Sequence, residues 1–378
     1  MYGNFARLGV FALVVCTGLS ATNCRREVQP ASAAPSFSVD SQPLVTIAGS
    51  APDGAPNLGL VAGATRLADG TVVIGDYNAS ALRFFDPAGR LVRSVGRQGN
   101  GPGEFGALNG VLRCDGDSLF ATDAAHGVSV FTAAGAFVRG IALPQFARLV
   151  ACSSEGVLVV LESGQASQPQ PGDRVSRVRT PVALSDRRGA ITHELGDIAF
   201  YDVAQSGGGW LPQPGSPHTS FAVGRERLVV CPNDSGAVGV YSLRGRPLRP
   251  IPLDVPPRVP SRTYIEELAD RMLAAMPVAL KATFRQRLLE IPPAAHLPPC
   301  SKVLTDPDGD VWVILSVLGD SVTTLRVFGP DDRLLGDVTV PVEMDVLEIG
   351  SDYLLGSGED ADGEPWVRVY QVRRTATR

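Results

Sequence analysis

The sequence predicts an all-β protein: a six-bladed β-propeller whose N-terminal strand closes the last blade, with a helical hairpin inserted between blades four and five. Three observations carry that reading. Short apolar runs separated by turn dipeptides recur with a period of about 45–48 residues. Gly and Pro, 41 and 30 of 378 residues, punctuate the chain almost throughout, which excludes a helical bundle or coiled coil. The last copy of the unit is one strand short, and an unassigned strand stands at the opposite terminus. An apolar share of 44% excludes a disordered chain, and a net charge of −5 without a basic block argues against nucleic acid as a partner.

The first element is an address. Arg7 precedes the apolar run Leu8 to Leu19. As a helix that run spans roughly 18 Å, too short to cross a membrane. Residues 1–24 therefore read as a secretory signal. Two cleavage readings stand. Cys24, after Ala21-Thr22-Asn23, looks like the acylated cysteine of a bacterial lipoprotein; Ala31-Ser32-Ala33 offers an A-x-A site instead. Either way the chain is expected to be exported, to the periplasm or as an outer-membrane-associated lipoprotein, with the extracellular space as second choice. Residues 25–43 are polar and Pro/Ala/Ser-rich, a tether, and 373–378 form a short tail.

The propeller is expected over residues 44–372. Blade one reads Thr65-Arg66-Leu67-Ala68-Asp69-Gly70, then Thr71 to Asp76, Ala81 to Asp86 and Ala88 to Val95. Blade two repeats it through Leu112 to Gly116, Ser118 to Asp123, Val128 to Phe131 and Gly135 to Val138, an offset of 47 residues from Asp76 to Asp123. Such runs joined by Asp-Gly and Ala-Gly turns are strands in tight hairpins. Weaker copies follow at 147–195 and 218–252, a sharp one at 301–340, and a three-strand copy at 343–372. Leu44-Val45-Thr46-Ile47 supplies the missing strand, and closure removes two exposed sheet edges.

The stretch Gly99-Asn100-Gly101-Pro102-Gly103-Glu104-Phe105 resembles the loop of NHL-repeat six-bladed propellers. So do the strands ending in Asp76 or Asp123 and their successors ending in Phe-Asp or Phe-Thr. Asp53 to Leu58 is a degenerate earlier copy, and the likeness is specific over roughly 44–141 and 301–340. The resemblance implies the fold and an exported bacterial (lipo)protein type more than any reaction.

Beyond Cys16 and Cys24, four cysteines remain, an even number in an exported chain. Cys114 and Cys152 end the innermost strands of successive blades; Cys231 ends a second strand and Cys300 opens the next blade. The expected pairs are 114–152 and 231–300, with buried free thiols as the other reading.

In a propeller the blade-to-blade connections share one face with the turns between second and third strands. On this sequence that face gathers the Gly-Pro-Gly-Glu segment, Ser206 to Trp210, the 254–300 stretch, and Asp76-Tyr77-Asn78, Asp123 with His126, Asn233-Asp234, Asp320 and Glu359 to Glu364. Richer loops on one face suit a binding surface. Asp76 and Asp123 recur at the blade period, so turn capping is the alternative role, as is a solvated turn for 359–364, which lacks EF-hand spacing. Arg66 and Arg113 take equivalent places on innermost strands. They either wall the channel as an anion attractor or pair with neighbouring carboxylates.

In the 257–299 insertion, Thr263 with Glu266 predicts a capping box, and Ile265, Leu268, Met272 and Ala275 one apolar face. Pro277 opens a second helix with the stripe Leu280, Phe284, Leu288, Ile291. The hairpin either packs on the propeller or serves as a lid or docking surface. The expected function is an envelope-associated, monomeric binding or scaffold propeller for an unidentified protein or small molecule, with no assigned reaction and no cofactor. The alternative is a metal-dependent, gluconolactonase- or strictosidine-synthase-like hydrolase, with calcium held by channel carboxylates.

Overall fold

The computed structural model of the chain describes residues 36–49, 58–114, 116–143, 147–153, 156–162, 167–169, 172–216, 218–224, 226–231, 236–273, 276–315, 320–340 and 343–375. After β1 (Ser36–Ala48), blade one comprises β2 (Val61–Arg66), β3 (Val72–Asp76), β4 (Ala81–Phe85) and β5 (Leu91–Val95). Blade two comprises β6 (Leu108–Cys114), β7 (Ser118–Asp123), β8 (Gly127–Phe131) and β9 (Phe137–Ile141). Blade three has five strands, β10 (Ala147–Cys152), β11 (Leu158–Glu162), β12 (Val175–Ser185), β13 (Ile191–Ser206) and β14 (Gly209–Pro212). Blade four is β15 (Ser220–Val223), β16 (Arg227–Cys231), β17 (Ala237–Ser242) and β18 (Ile251–Pro252). Helices α1 (Arg262–Met272) and α2 (Val278–Glu290) precede blade five, β19 (Lys302–Thr305), β20 (Val311–Ile314), β21 (Thr323–Phe328) and β22 (Leu334–Val340). The last blade is β23 (Asp345–Ile349), β24 (Tyr353–Glu359), β25 (Pro365–Thr375) and, at its outer edge, β1.

Inner strands such as β3 and β4 are buried at every position, because a blade is covered on both faces by its neighbours. That is why they read as continuous apolar runs and not as alternating ones. Each junction between neighbouring blades encloses its own apolar cluster. Leu82, Phe84 and Phe131 lie between blades one and two, and Trp312, Leu325 and Trp366 between five and six. Ile74, Leu355 and Val367 fill the junction that closes the ring. Each fully buried Leu or Phe contributes about 1.5–3 kcal/mol. Gly89, Gly135, Gly189 and Gly245 take positive φ at the same outer turn of blades one to four, and Asp332 takes that place in blade five. The expected disulfides are both present, Cys114–Cys152 across junction two–three and Cys231–Cys300 across junction four–five.

The closing strand is longer than its predicted core, Leu44 to Ile47. It starts at Ser36, inside the stretch read as tether, because Phe37 and Val39 alternate with polar residues and pack against the cluster between blades five and six. Phe37 meets Trp312 edge-on at 5.1 Å. Beside it, Arg374 on β25 pairs with Asp306 (2.5 Å), Asp308 (2.7 Å) and Asp310 (3.1 Å) in the first turn of blade five. Both terminal strands are thereby clasped to the neighbouring blade.

Burial, then the nearby charge of Asp306, raises the pKa of Asp310 to about 6, with Arg374 acting in the opposite direction. Between the ordinary aspartate value and about 6 the folded chain holds a proton that the unfolded chain releases. This site therefore adds stability as pH falls through 6 towards 4 and loses it as pH rises. Asp310→Asn is expected to stabilise the protein by about 1–3 kcal/mol at pH 7 and to flatten that segment of the stability profile. Urea unfolding of both proteins from pH 4 to pH 7 measures it; parallel profiles would refute the assignment.

Blade three departs from the plan. Opposite Val182, Gly196 (φ +79°) sits at a register shift, a bulge that bends the upper half of the β12–β13 ribbon out of its blade. The ribbon turns inward. Thr219, ahead of β15, donates its N–H to Phe200 O at 3.0 Å and its hydroxyl to Ala199 O at 2.6 Å. Ser206 to Trp210, expected as a blade-to-blade loop, is the β13–β14 turn of this tab, with Gly207 and Gly208 both at positive φ.

The helices pack on the tab. Ala269, Leu273, Leu288 and Ile291 cluster with Ala204, and Phe284 joins them. Ser261, not Thr263, is the N-cap, its Oγ accepting the Tyr264 N–H at 3.0 Å. The buried line of α1 is Ile265, Ala269, Leu273, one step round from that expected; Met272 and Leu280 are exposed. The tab, invisible in the repeat, offers small Ala204 as partner, so close approach selects Ala269 over bulkier neighbours.

Candidate functional site

Among the described residues, several of the connections and turns that the sequence pattern gathers on one face pair off with their own neighbours. Asp76 is fully buried; it accepts the N–H of Gly59 (3.0 Å) and Ala79 (2.9 Å) and pairs with Arg83 at 3.1 Å. Asp123 does the same for Ala107 (2.9 Å), Ala125 (2.8 Å) and His126 (2.9 Å). His126 Nδ1 accepts the Gly106 N–H at 3.2 Å, which fixes the proton on Nε2, where it is donated to Asn100 at 2.9 Å. Asn78 accepts the Leu60 N–H at 3.4 Å, and Tyr77 is exposed. Asp320 holds Arg258 through two bonds of 2.9 and 3.0 Å, tying the approach to α1 to blade five. Asp234 and Cys24 lie outside the described residues. Asp76, Asp123, His126 and Asp320 thus act as turn caps and braces of the upper face.

Arg66 and Arg113 stand at the other, lower end of the innermost strands. Both meet Glu348 of the last blade, which the sequence reading missed. Arg113 pairs with Glu348 at 3.0 Å and with Asp117 at 3.5 Å. The first of these joins blade two to blade six and so passes the inner edge of blade one. Thr65 and Tyr353 donate their hydroxyls to Glu348, and the Arg66 N–H adds a bond of 3.3 Å. The Arg66 guanidinium lies 4.7 Å from the Tyr353 ring centre. Burial, then the charge of Glu348, drives the Tyr353 hydroxyl far above the ordinary phenol range. Burial acts most strongly on Arg113 and would lower its pKa, but Glu348, Tyr353 and Asp117 together raise it. At the lower mouth Glu348 and Arg113 are spent on their own chain, while the Arg66 guanidinium has the Tyr353 ring but no ion pair among the described residues.

The upper mouth differs. Arg148, second residue of β10, is exposed at the head of its innermost strand, its guanidinium 6.0 Å from the Phe200 ring. Phe200 stacks on His218 at 6.0 Å, and Tyr201 leans on the same imidazole at 5.6 Å. Burial of the ring, then the positive charge of Arg148, lowers the pKa of His218. No repeat signal marks these four residues; only the inward bend at Gly196 carries Phe200 and Tyr201 to the rim. Above them lies the helical hairpin. It packs on the blade-three tab at one side, while Arg271, at the end of α1, reaches Glu343, just ahead of β23, at 3.0 Å. The hairpin therefore touches the blade-three tab at one side and the connection into blade six at the other, both on the upper face.

Neither protein-family models nor curated protein sequences match the chain. Among solved structures it is similar to a candidate exported protein of Bacteroides fragilis, 14% identical over 90% of this chain and 95% of that one, with a TM-score of 0.51. A DUF4221 family member from Bacteroides vulgatus is 10% identical over 90% and 99% of the two chains, with a TM-score of 0.50. A gluconolactonase of Xanthomonas campestris is 14% identical over 92% and 99%, at a TM-score of 0.43. At these identities the likeness to the two Bacteroides structures is one of fold alone, and this chain's own fold, six small sheets in a ring, is a six-bladed β-propeller.

Proposed function

We propose that the chain is an exported, monomeric binding propeller of NHL-like type, tethered to the envelope through Cys24, that holds a protein or small molecule at its upper channel mouth. One observation carries the reading. Both additions to the six-bladed plan, the β13–β14 tab and the α1–α2 hairpin, are built on the upper face, whereas Glu348 at the lower mouth is committed to its own chain. Binding of this kind calls for no cofactor.

The outermost strand of a blade runs from the lower to the upper face, so β1 enters from below. A lipid on Cys24 would tie the chain to a membrane. Cys24→Ala is expected to lose acyl labelling and leave the membrane fraction. A photocrosslinker at Val278, 83% exposed on the hairpin, is expected to capture the bound species. The same group at Ala88, in an outer turn of the lower face, is expected to capture nothing. Capture at Ala88 alone would overturn the upper-face reading, and a Cys24→Ala protein still held in membranes would overturn the anchor.

A further inference from the structure

We infer that the upper mouth carries an oxyanion-recognition site made by Arg148, Tyr201 and His218, an inference that rests on the binding reading above and gives its ligand class. The argument starts from charge. Among the upper ends of the six innermost strands, the charged residues are Arg148, Lys302 and Asp345. Lys302 and Asp345 neutralise each other at 2.8 Å. Arg148 has no ion pair or hydrogen bond among the described residues, in contrast to Arg113 at the lower mouth, which holds two carboxylates. The inner rim is left with one uncompensated positive charge.

The second observation is the state of its neighbours. The rings of Phe200, Tyr201 and His218 are wedged together, yet neither the Tyr201 hydroxyl nor the His218 imidazole has a hydrogen-bond partner among the described residues. Phe200 and Tyr201 are half-buried and His218 is exposed, so the polar heads of Tyr201 and His218 face the surface unspent. The lowered pKa of His218 keeps the imidazole neutral near pH 7, so it adds a donor without a second charge.

Arginine presents a planar fork that matches a carboxylate or phosphate through two parallel bonds. The ring wall beside it suits the flat or apolar body of the same ligand. The geometry therefore fits a small molecule with an oxyanion head, set under the tab and hairpin. A charge-assisted pair of this kind is worth a factor of roughly ten to a hundred in affinity.

The test titrates the whole mature protein with benzoate, glucuronate and inorganic phosphate, beside the neutral benzamide and methyl glucoside, by calorimetry. At least one oxyanion is expected to bind saturably at one site, with its neutral counterpart at least roughly tenfold weaker. Arg148→Gln is expected to weaken that binding by roughly ten- to a hundredfold and Arg148→Lys by less. Both variants should melt with the wild type, because the side chain anchors nothing in the fold. Neutral probes binding as tightly as oxyanions, or Arg148→Gln binding like wild type, would overturn the oxyanion site and leave the upper-mouth reading standing. Absence of saturable binding by every oxyanion also overturns it, and crosslinking at Val278 then judges the wider reading separately.

Discussion

Asp306→Ala is expected to lower the unfolding free energy by about 3–5 kcal/mol, the cost of removing one partner from a buried charge cluster. Asp306 is fully buried at its side chain and serves four donors. Its Oδ1 accepts the N–H groups of Asp308 and Asp310, each at 3.0 Å, and its Oδ2 takes the Trp312 indole N–H at 2.7 Å and Arg374 at 2.5 Å. Alanine leaves the indole and two turn amides without their acceptor inside the junction between blades five and six. It also frees one arm of the arginine that fastens β25. Because β25 and β1 complete the last blade, the damage falls on ring closure and not on a surface turn. Chemical denaturation of the mature protein measures the shift in midpoint. A variant within about 0.5 kcal/mol of wild type, the range of ordinary surface changes, would sink the clasp.

Loss of the two disulfides is the second large effect. They close chain segments with sequence separations of 38 and 69 residues, with Cα–Cα distances of 5.8 and 6.4 Å. On the chain-entropy account each contributes about 4 kcal/mol. Cys114→Ser/Cys152→Ser and Cys231→Ser/Cys300→Ser are each expected to lower the denaturation midpoint clearly. Reductant should then lower the wild type to the level of the variant lacking all four cysteines and leave that variant unchanged. A wild-type midpoint indifferent to reductant would refute both bridges. Such bonds persist in an oxidising compartment.

Much of the fold was legible because its physics is local and repeated. Runs such as Val72-Val73-Ile74 and Leu119-Phe120-Ala121 announce strands buried on both faces, and the turn glycines of blades one and two, Gly89 and Gly135, stand 46 residues apart, one blade length. The cysteine pairs were expected from their places in neighbouring blades, Cys114 and Cys152 in equivalent strands and Cys231 and Cys300 on either side of one blade junction. The roles of Asp76 and Asp123 were legible as alternatives only, since a carboxylate that caps a turn and one that binds a ligand occupy the same sequence position. The α1 stripe was misjudged by one step because helical periodicity gives a face without giving what it packs against. Glu348 escaped notice because its partners, Thr65, Arg66, Arg113 and Tyr353, come from three blades.

By itself, then, the sequence determined most of the strands, the number of blades, the terminal closure and the inserted hairpin, and it pointed to the disulfide pairing without excluding free thiols. Each of these is written in residues close along the chain or at a constant period. Only the tertiary structure decided which mouth is free. A bulge at Gly196 bends one ribbon inward, brings Phe200 and Tyr201 against His218 beside Arg148, and gives the hairpin a surface to lie on. The reason is geometric: a ring closes residues hundreds of positions apart into one rim, and no local pattern encodes which of their polar groups remain unpaired there.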